Sequence, residues 1–207
     1  MEIPGPAYRI QTQRLIVRCW HPSDAPLLST AISQSLEHLQ TWMPWAHREP
    51  KSLQQRIDWL REVRGEFDLN QNFLYGIFDL TEERVLGATG LHTRIGKDAF
   101  EIGYWVHADH INQGIASEAA SALTRVAFEV HQAARVEIHC DPQNFRSAAV
   151  PRKLGFVHEA TLRQRVEDQD GRKRDSMIWS LFATAYQASK AAAIELEAYD
   201  VIGRKLL

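Results

Sequence analysis

The chain has 207 residues, 44% of them apolar and 24% charged, and a formal charge of -2 at pH 7. That length supports one domain with a full-sized core, and the near-neutral balance offers no broad basic field for nucleic acid or anionic lipid. Cys19 and Cys140 lack the paired spacing of a disulfide framework or zinc ribbon, no basic-then-apolar leader opens the sequence, and no apolar stretch is long enough to cross a bilayer. A soluble cytoplasmic protein with neither nucleic-acid nor membrane partners is expected.

Residues 14–20 set Leu15, Val17 and Cys19 against Ile16 and Arg18 and read as a strand. Ser23 or Asp24 then caps a helix with Leu27, Leu28, Ala31, Ile32, Leu36 and Leu39 on one stripe, which ends before Trp42-Met43-Pro44-Trp45. A second helix opens at Ser52, whose spacing to Gln55 is that of a capping box. Residues 73–80, 85–95 and 99–106 form an antiparallel meander. Ile115, Ala119, Ala122, Leu123, Val126 and Val130 mark the buried stripe of a long helix over 114–130. A strand follows at 135–140, so it should lie parallel to 99–106. A shorter helix at 144–154 stops at Gly155, and strands 157–166 and 172–182 flank the turn Asp168-Gln169-Asp170-Gly171. The alanine-rich stretch 183–202 is predicted to be helical. With no repeat or linker, the chain reads as one α/β domain over 1–207, its core at about 8–186 and a helical extension at 187–207.

The segment richest in chemistry is Glu101-Ile102-Gly103-Tyr104-Trp105-Val106, followed by Gln113-Gly114-Ile115-Ala116-Ser117. It is a strand, a short polar loop and a helix that begins at glycine. Unpaired N–H groups and a partial positive charge at such a helix start bind an anion without any basic side chain. Gly114 and Ala116 are small enough for a pyrophosphate to approach closely. No Gly-Lys-Ser/Thr follows, and no Gly-x-Gly-x-x-Gly occurs, so neither a P-loop nor a dinucleotide fold is indicated.

At these residues the sequence resembles the GNAT acetyltransferase superfamily, most closely its RimJ/RimL branch. Gly114 and Ala116 match the phosphate-loop pattern Arg/Gln-x-x-Gly-x-Gly/Ala, with Ile111 departing from it in the first position. Asn144-Phe145-Arg146-Ser147 and Lys153-Leu154-Gly155-Phe156 resemble the family's Asn-x-x-Ser helix and the Leu-Gly-Phe that closes it. The likeness covers roughly residues 14–182. It implies a mixed, mostly antiparallel, twisted sheet of about seven strands with helices on both faces, in which the parallel strands ending at Val106 and Cys140 splay apart. It also implies acetyl-CoA as acetyl donor and CoA as product, with direct transfer to a primary amine in one ternary complex.

On that reading the cofactor is held by Trp105, Val106, Gln113, Gly114, Ile115, Ala116, Ser117, Asn144 and Ser147. Trp42, Met43 and Trp45 wall the acceptor, which is a protein N-terminal amine or an amine-bearing small molecule. Glu101 and Glu167 are the candidate bases, because an amine must lose a proton to attack. Ser147 is the candidate group that meets the departing thiolate. Cys140 reads as a small apolar side chain rather than a nucleophile, and the scattered histidines give no support to a metal. A non-catalytic acyl-CoA-binding domain and a transferase with another acyl donor are the alternatives. The tail is free to pack on its own domain or on a partner in a homodimer.

Overall fold

The computed structural model describes residues 5–168 and 170–207, so the first four residues and Gln169 of the expected turn lie outside it. Nine strands form one sheet: β1 (Arg9–Gln11), β2 (Ile16–Cys19), β3 (Phe73–Phe78), β4 (Val85–His92), β5 (Ala99–Val106), β6 (Arg135–Cys140), β7 (Val157–Glu167), β8 (Lys173–Phe182) and β9 (Glu197–Tyr199). Their order across the sheet is β7-β8-β6-β5-β4-β3-β2-β1-β9. Among the described residues β5 and β6 are the only parallel pair, as a strand-helix-strand series requires.

The helices are α1 (Ala25–Gln34), α2 (Leu36–Gln40), α3 (Leu53–Asp68), α4 (Ile115–Glu129), α5 (Phe145–Leu154) and the short α6 (Ala183–Tyr186). Strand alternation sorts the core onto two faces. Val17, Tyr75, Ile77, Val136 and Ile138 pack with Ala119, Leu123 and Val126 of α4, whereas Ile16, Trp20 and Phe78 pack with Leu28 and Ile32 of α1 and Leu60 and Val63 of α3. The capping box at Ser52 and Gln55 is made reciprocally, and Gly155 ends α5 in the left-handed region at φ 93°.

Three expectations are corrected. The first helix breaks at Ser35, because a remote loop captures its end. There Ser35 Oγ accepts the Ala108 N–H at 3.0 Å and Gln34 Oε1 accepts from His107 Nε2 at 3.0 Å. Neither Ser23 nor Asp24 caps α1 through its side chain; Asp24 instead accepts the His21 N–H and pairs with Arg18 at 2.8 Å. The region 187–207 is not a helical extension. It forms a 3-10 turn at Lys190–Ala193 and then β9, which pairs with β1 and brings the sheet to nine strands. Side chains of α4 hold this tail by its backbone, with Ser121 Oγ donating to the Ala191 carbonyl at 3.1 Å and Arg125 Nη1 to the Ile194 carbonyl at 2.9 Å. Buried Ala198 then covers the open edge of β1, a tertiary gain that overrides the modest helix preference of alanine.

Candidate active site

Strands β5 and β6 pair only at Ala99, Phe100 and Glu101, opposite Arg135, Val136 and Glu137. Beyond that point β6 stays zipped to β8 through Cys140, and β5 stays zipped to β4 through Val106. Residues 102–106 therefore turn an unpaired backbone edge toward a gap inside the sheet. Such an edge is costly to leave dry and suits an extended chain carrying amides of its own.

The gap leads to the start of α4. Gly114 is its N-cap in the left-handed region (φ 83°), and no side chain caps the helix. The first amide to bond back is that of Glu118, to the Gly114 carbonyl at 3.0 Å, which leaves the amides of residues 115–117 for an anion. This corner is fixed from β2's side. Arg14 grips the Glu118 carboxylate at 2.8 and 2.6 Å and donates to the Gln113 carbonyl at 3.1 Å, while Thr12 donates to Glu118 at 2.6 Å.

Two cavities meet here. The smaller, about 260 Å³, runs along Trp105, Val106, Ile111, the helix start at Gly114, Ile115, Ala116 and Ser117, Asn144, Arg146 and Ser147 at the start of α5, and Lys153 in its last turn. The larger, about 760 Å³, lies on the α1–α3 face, walled by Trp20, Trp42, Trp45, Trp59 and Trp105, with Glu101, His92 and His139 among its polar lining. Six residues line both: Trp42, Met43, Tyr104, Trp105, Asn144 and Ser147. The seam between the cavities is where two bound molecules would touch.

Most residues singled out in the sequence thus face this pair of cavities, with two exceptions. Gln113 is turned away, its side chain donating to the Asp109 carbonyl at 3.1 Å. Glu167 ends β7 as an exposed side chain opposite Lys173 and lines neither cavity. Asn144 caps α5 by accepting the Ser147 backbone N–H at 3.0 Å, which fixes the first turn that carries Ser147. Tyr104, not singled out beforehand, lies against it, its hydroxyl 3.1 Å from both Ser147 Oγ and the Ser147 carbonyl. Burial pushes the Tyr104 phenol well up, so it stays protonated. Burial likewise pushes the Cys140 thiol up, the opposite of what a nucleophilic cysteine needs.

Glu101 lies in the larger cavity, where Arg94 holds it at 2.8 and 2.6 Å. Its own burial raises the carboxyl, but the Arg94 hydrogen bonds and the charges of His139 and Arg94 outweigh that and hold it below the usual range. Sequence reasoning also missed Glu137 and His139. Their signal was present: polar side chains alternating with Val136 and Ile138 in a central strand are out of place unless they face a cavity. Among the described residues no cluster of three His, Cys, Asp or Glu side chains is arranged to hold a metal ion, and no helix is long and apolar enough to cross a membrane.

The open strand edge suits an amide-bearing chain, and the uncapped helix start suits an anion. Comparison with known proteins gives the family. Residues 14–157 match the family profile described as acetyltransferase (GNAT) domain. The [ribosomal protein uS5]-alanine N-acetyltransferase of Escherichia coli (strain K12) is 26% identical over 182 residues, covering 85% of this chain and 91% of that protein. The ribosomal-protein-serine acetyltransferase of the same organism is 30% identical over 128 residues, covering 60% of this chain and 71% of that one. Among solved structures, Mycobacterium smegmatis RimJ in complex with CoA-disulfide superposes with a TM-score of 0.78 at 23% identity, covering 91% of this chain and 92% of that one. The chain therefore belongs to the GNAT acetyltransferase family and, among its members, is similar to a ribosomal-protein-alanine N-acetyltransferase and a ribosomal-protein-serine acetyltransferase.

Proposed function

We infer that the protein moves an acetyl group from acetyl-CoA directly onto a primary amine while both are bound. The observation that carries this is the meeting of the two cavities at Tyr104 and Ser147, beside the unpaired edge of β5. When bound, acetyl-CoA supplies an activated acetyl thioester. Trp105 and Val106 offer backbone to its arm, and residues 115–117 offer amides to its diphosphate. The Ser147 hydroxyl, held by Tyr104 on the helix start that Asn144 caps, would supply a proton or hydrogen bond to the departing sulfur. Glu101 draws the acceptor's ammonium to the floor of the larger cavity, and Trp42, Met43 and Trp45 pack its body. Relatives named as ribosomal-protein-alanine and ribosomal-protein-serine acetyltransferases favour a protein or peptide amine, such as an N-terminus, over a small molecule as acceptor.

The test is incubation with acetyl-CoA and a panel of amines: a peptide with a free alanine or serine terminus, its N-blocked lysine-containing counterpart, and small aromatic amines. Thiol release together with a one-acetyl mass gain on the free-terminus peptide is expected. Tight acetyl-CoA binding without turnover of any amine would replace this reading with a non-catalytic acyl-CoA-binding domain. Faster turnover with succinyl-CoA would change the donor.

A further inference from the structure

Where β5 and β6 part, five side chains form one series of contacts, Arg135, Glu137, His139, Glu101 and Arg94, the last three of which line the larger cavity. Arg135 Nε pairs with Glu137 Oε1 at 2.6 Å, and His139 Nε2 lies 2.6 Å from Glu137 Oε2. A carboxylate only accepts, so Nε2 donates to Glu137, and Nδ1 is the ring nitrogen left without that partner. What it faces is Glu101 Oε2 at 3.6 Å, beyond hydrogen-bond reach, while Arg94 holds Glu101 from the far side. In its neutral form the ring accepts at Nδ1, so this nitrogen and Glu101 Oε2 would be two acceptors side by side on the cavity wall.

We propose that the acceptor's ammonium group docks on the cavity side of this pair, within reach of both atoms, and that His139, held by Glu137, is the base that takes its proton. The proposal rests on the acetyl-transfer reading above and assigns the proton acceptor within it. Clamped by Arg94, Glu101 attracts an ammonium without competing for its proton. The imidazole has a free lone pair and a carboxylate behind it to stabilise the imidazolium, the arrangement that makes histidine an effective general base. An ammonium loses two protons in becoming an amide. The first breaks from nitrogen, forms the Nδ1–H bond and passes to solvent as the ring resets. The second replaces the proton that Ser147 delivers to the departing sulfur, so the products are amide, thiol and one released proton.

Other charged groups line the same cavity: His92 at the end of β4, the Asp141–Arg174 pair, Arg165 of β7 and Asp175 of β8. Glu159 of β7 accepts from Ser180, which lies opposite Glu137. The test therefore uses His139→Gln, which keeps a polar side chain, and Glu137→Gln, which leaves the ring but removes its support. In the apo protein, the ring nitrogen signals assigned by their loss in His139→Gln should report a proton on Nε2 and none on Nδ1. With the amine turned over best in the panel, kcat/KM at pH 7 should fall at least about 100-fold in His139→Gln. The deficit should shrink as pH rises toward the amine's own ionisation, while acetyl-CoA affinity stays within twofold. Glu137→Gln should show a smaller loss with a shifted pH limb.

A His139→Gln enzyme with wild-type rate and pH profile overturns the proposal, as does a ring protonated on Nδ1. An equal rate loss at every pH also overturns it, because a structural defect does not depend on ionisation. Wild-type protein that binds acetyl-CoA but acetylates nothing overturns instead the reading on which the proposal rests.

Discussion

Replacing Gly114 with alanine isolates the role of the helix start. The residue sits at φ 83°, and a Cβ built there meets only Arg14 Nη2, at 3.5 Å, an ordinary contact. Steric overlap is therefore absent and the cost is backbone strain, about 1–2 kcal/mol for a non-glycine residue in the left-handed region. In a chain of this size that lowers Tm by roughly 2–8 °C. Relief of the strain turns the peptide that carries the Ile115 amide. Losing one charge-assisted hydrogen bond to a diphosphate weakens binding on the order of 10- to 100-fold. Gly203 provides the control, with φ 80° and nothing within 4 Å of its Cβ, in the turn after β9. Gly203→Ala should lose similar stability and keep full acetyl-CoA affinity, measured by calorimetry alongside thermal melts. Unchanged affinity in Gly114→Ala, or an equal loss in Gly203→Ala, would refute the assignment of the diphosphate to these amides.

Three further outcomes follow. His131 is packed between Phe73 and Phe100, and burial lowers it to about 4 from an ordinary 6.5. The unfolded chain binds this proton first, so stability is complete above about pH 6.5 and falls through the window down to pH 4, by at most about 3 kcal/mol. Urea unfolding at pH 7 and pH 4.5 should show that loss in the wild type and a smaller one in His131→Phe; equal losses contradict it. Ser52→Ala removes half of the capping box on α3 and should cost about 1 kcal/mol without altering acetyl-CoA affinity, and an unchanged urea midpoint would show that the cap contributes nothing. Tyr104→Phe and Ser147→Ala should each slow turnover more than they weaken cofactor binding. Their double variant should be no slower than the worse single one, because the two hydroxyls act as a unit; fully additive losses would separate them.

The segment from β5 to α5 was legible in the sequence because its signals are local. Gly114 needs a left-handed backbone, Asn144 caps the helix that carries Ser147, and Gly155 stops it, each within a few residues of the element it governs. What was not legible depends on distant partners. The break at Ser35 is imposed by the amide of Ala108, and the tail's alanines favour a helix until β1 offers an open edge. Glu137 and His139 had a visible alternation, but their meaning required Glu101 to stand opposite in the parallel register. Glu167 followed from the family likeness alone, and an exposed position outside both cavities gives it no part in the proposed chemistry.

Amide hydrogen exchange with and without acetyl-CoA tests most directly whether the cofactor completes the sheet. Acetyl-CoA should slow exchange of those amides in residues 102–106 that face the gap and of the helix-start amides at 115–117, leaving β1, β2 and β9 as they were. Saturating acetyl-CoA with no added protection at either segment would contradict the account.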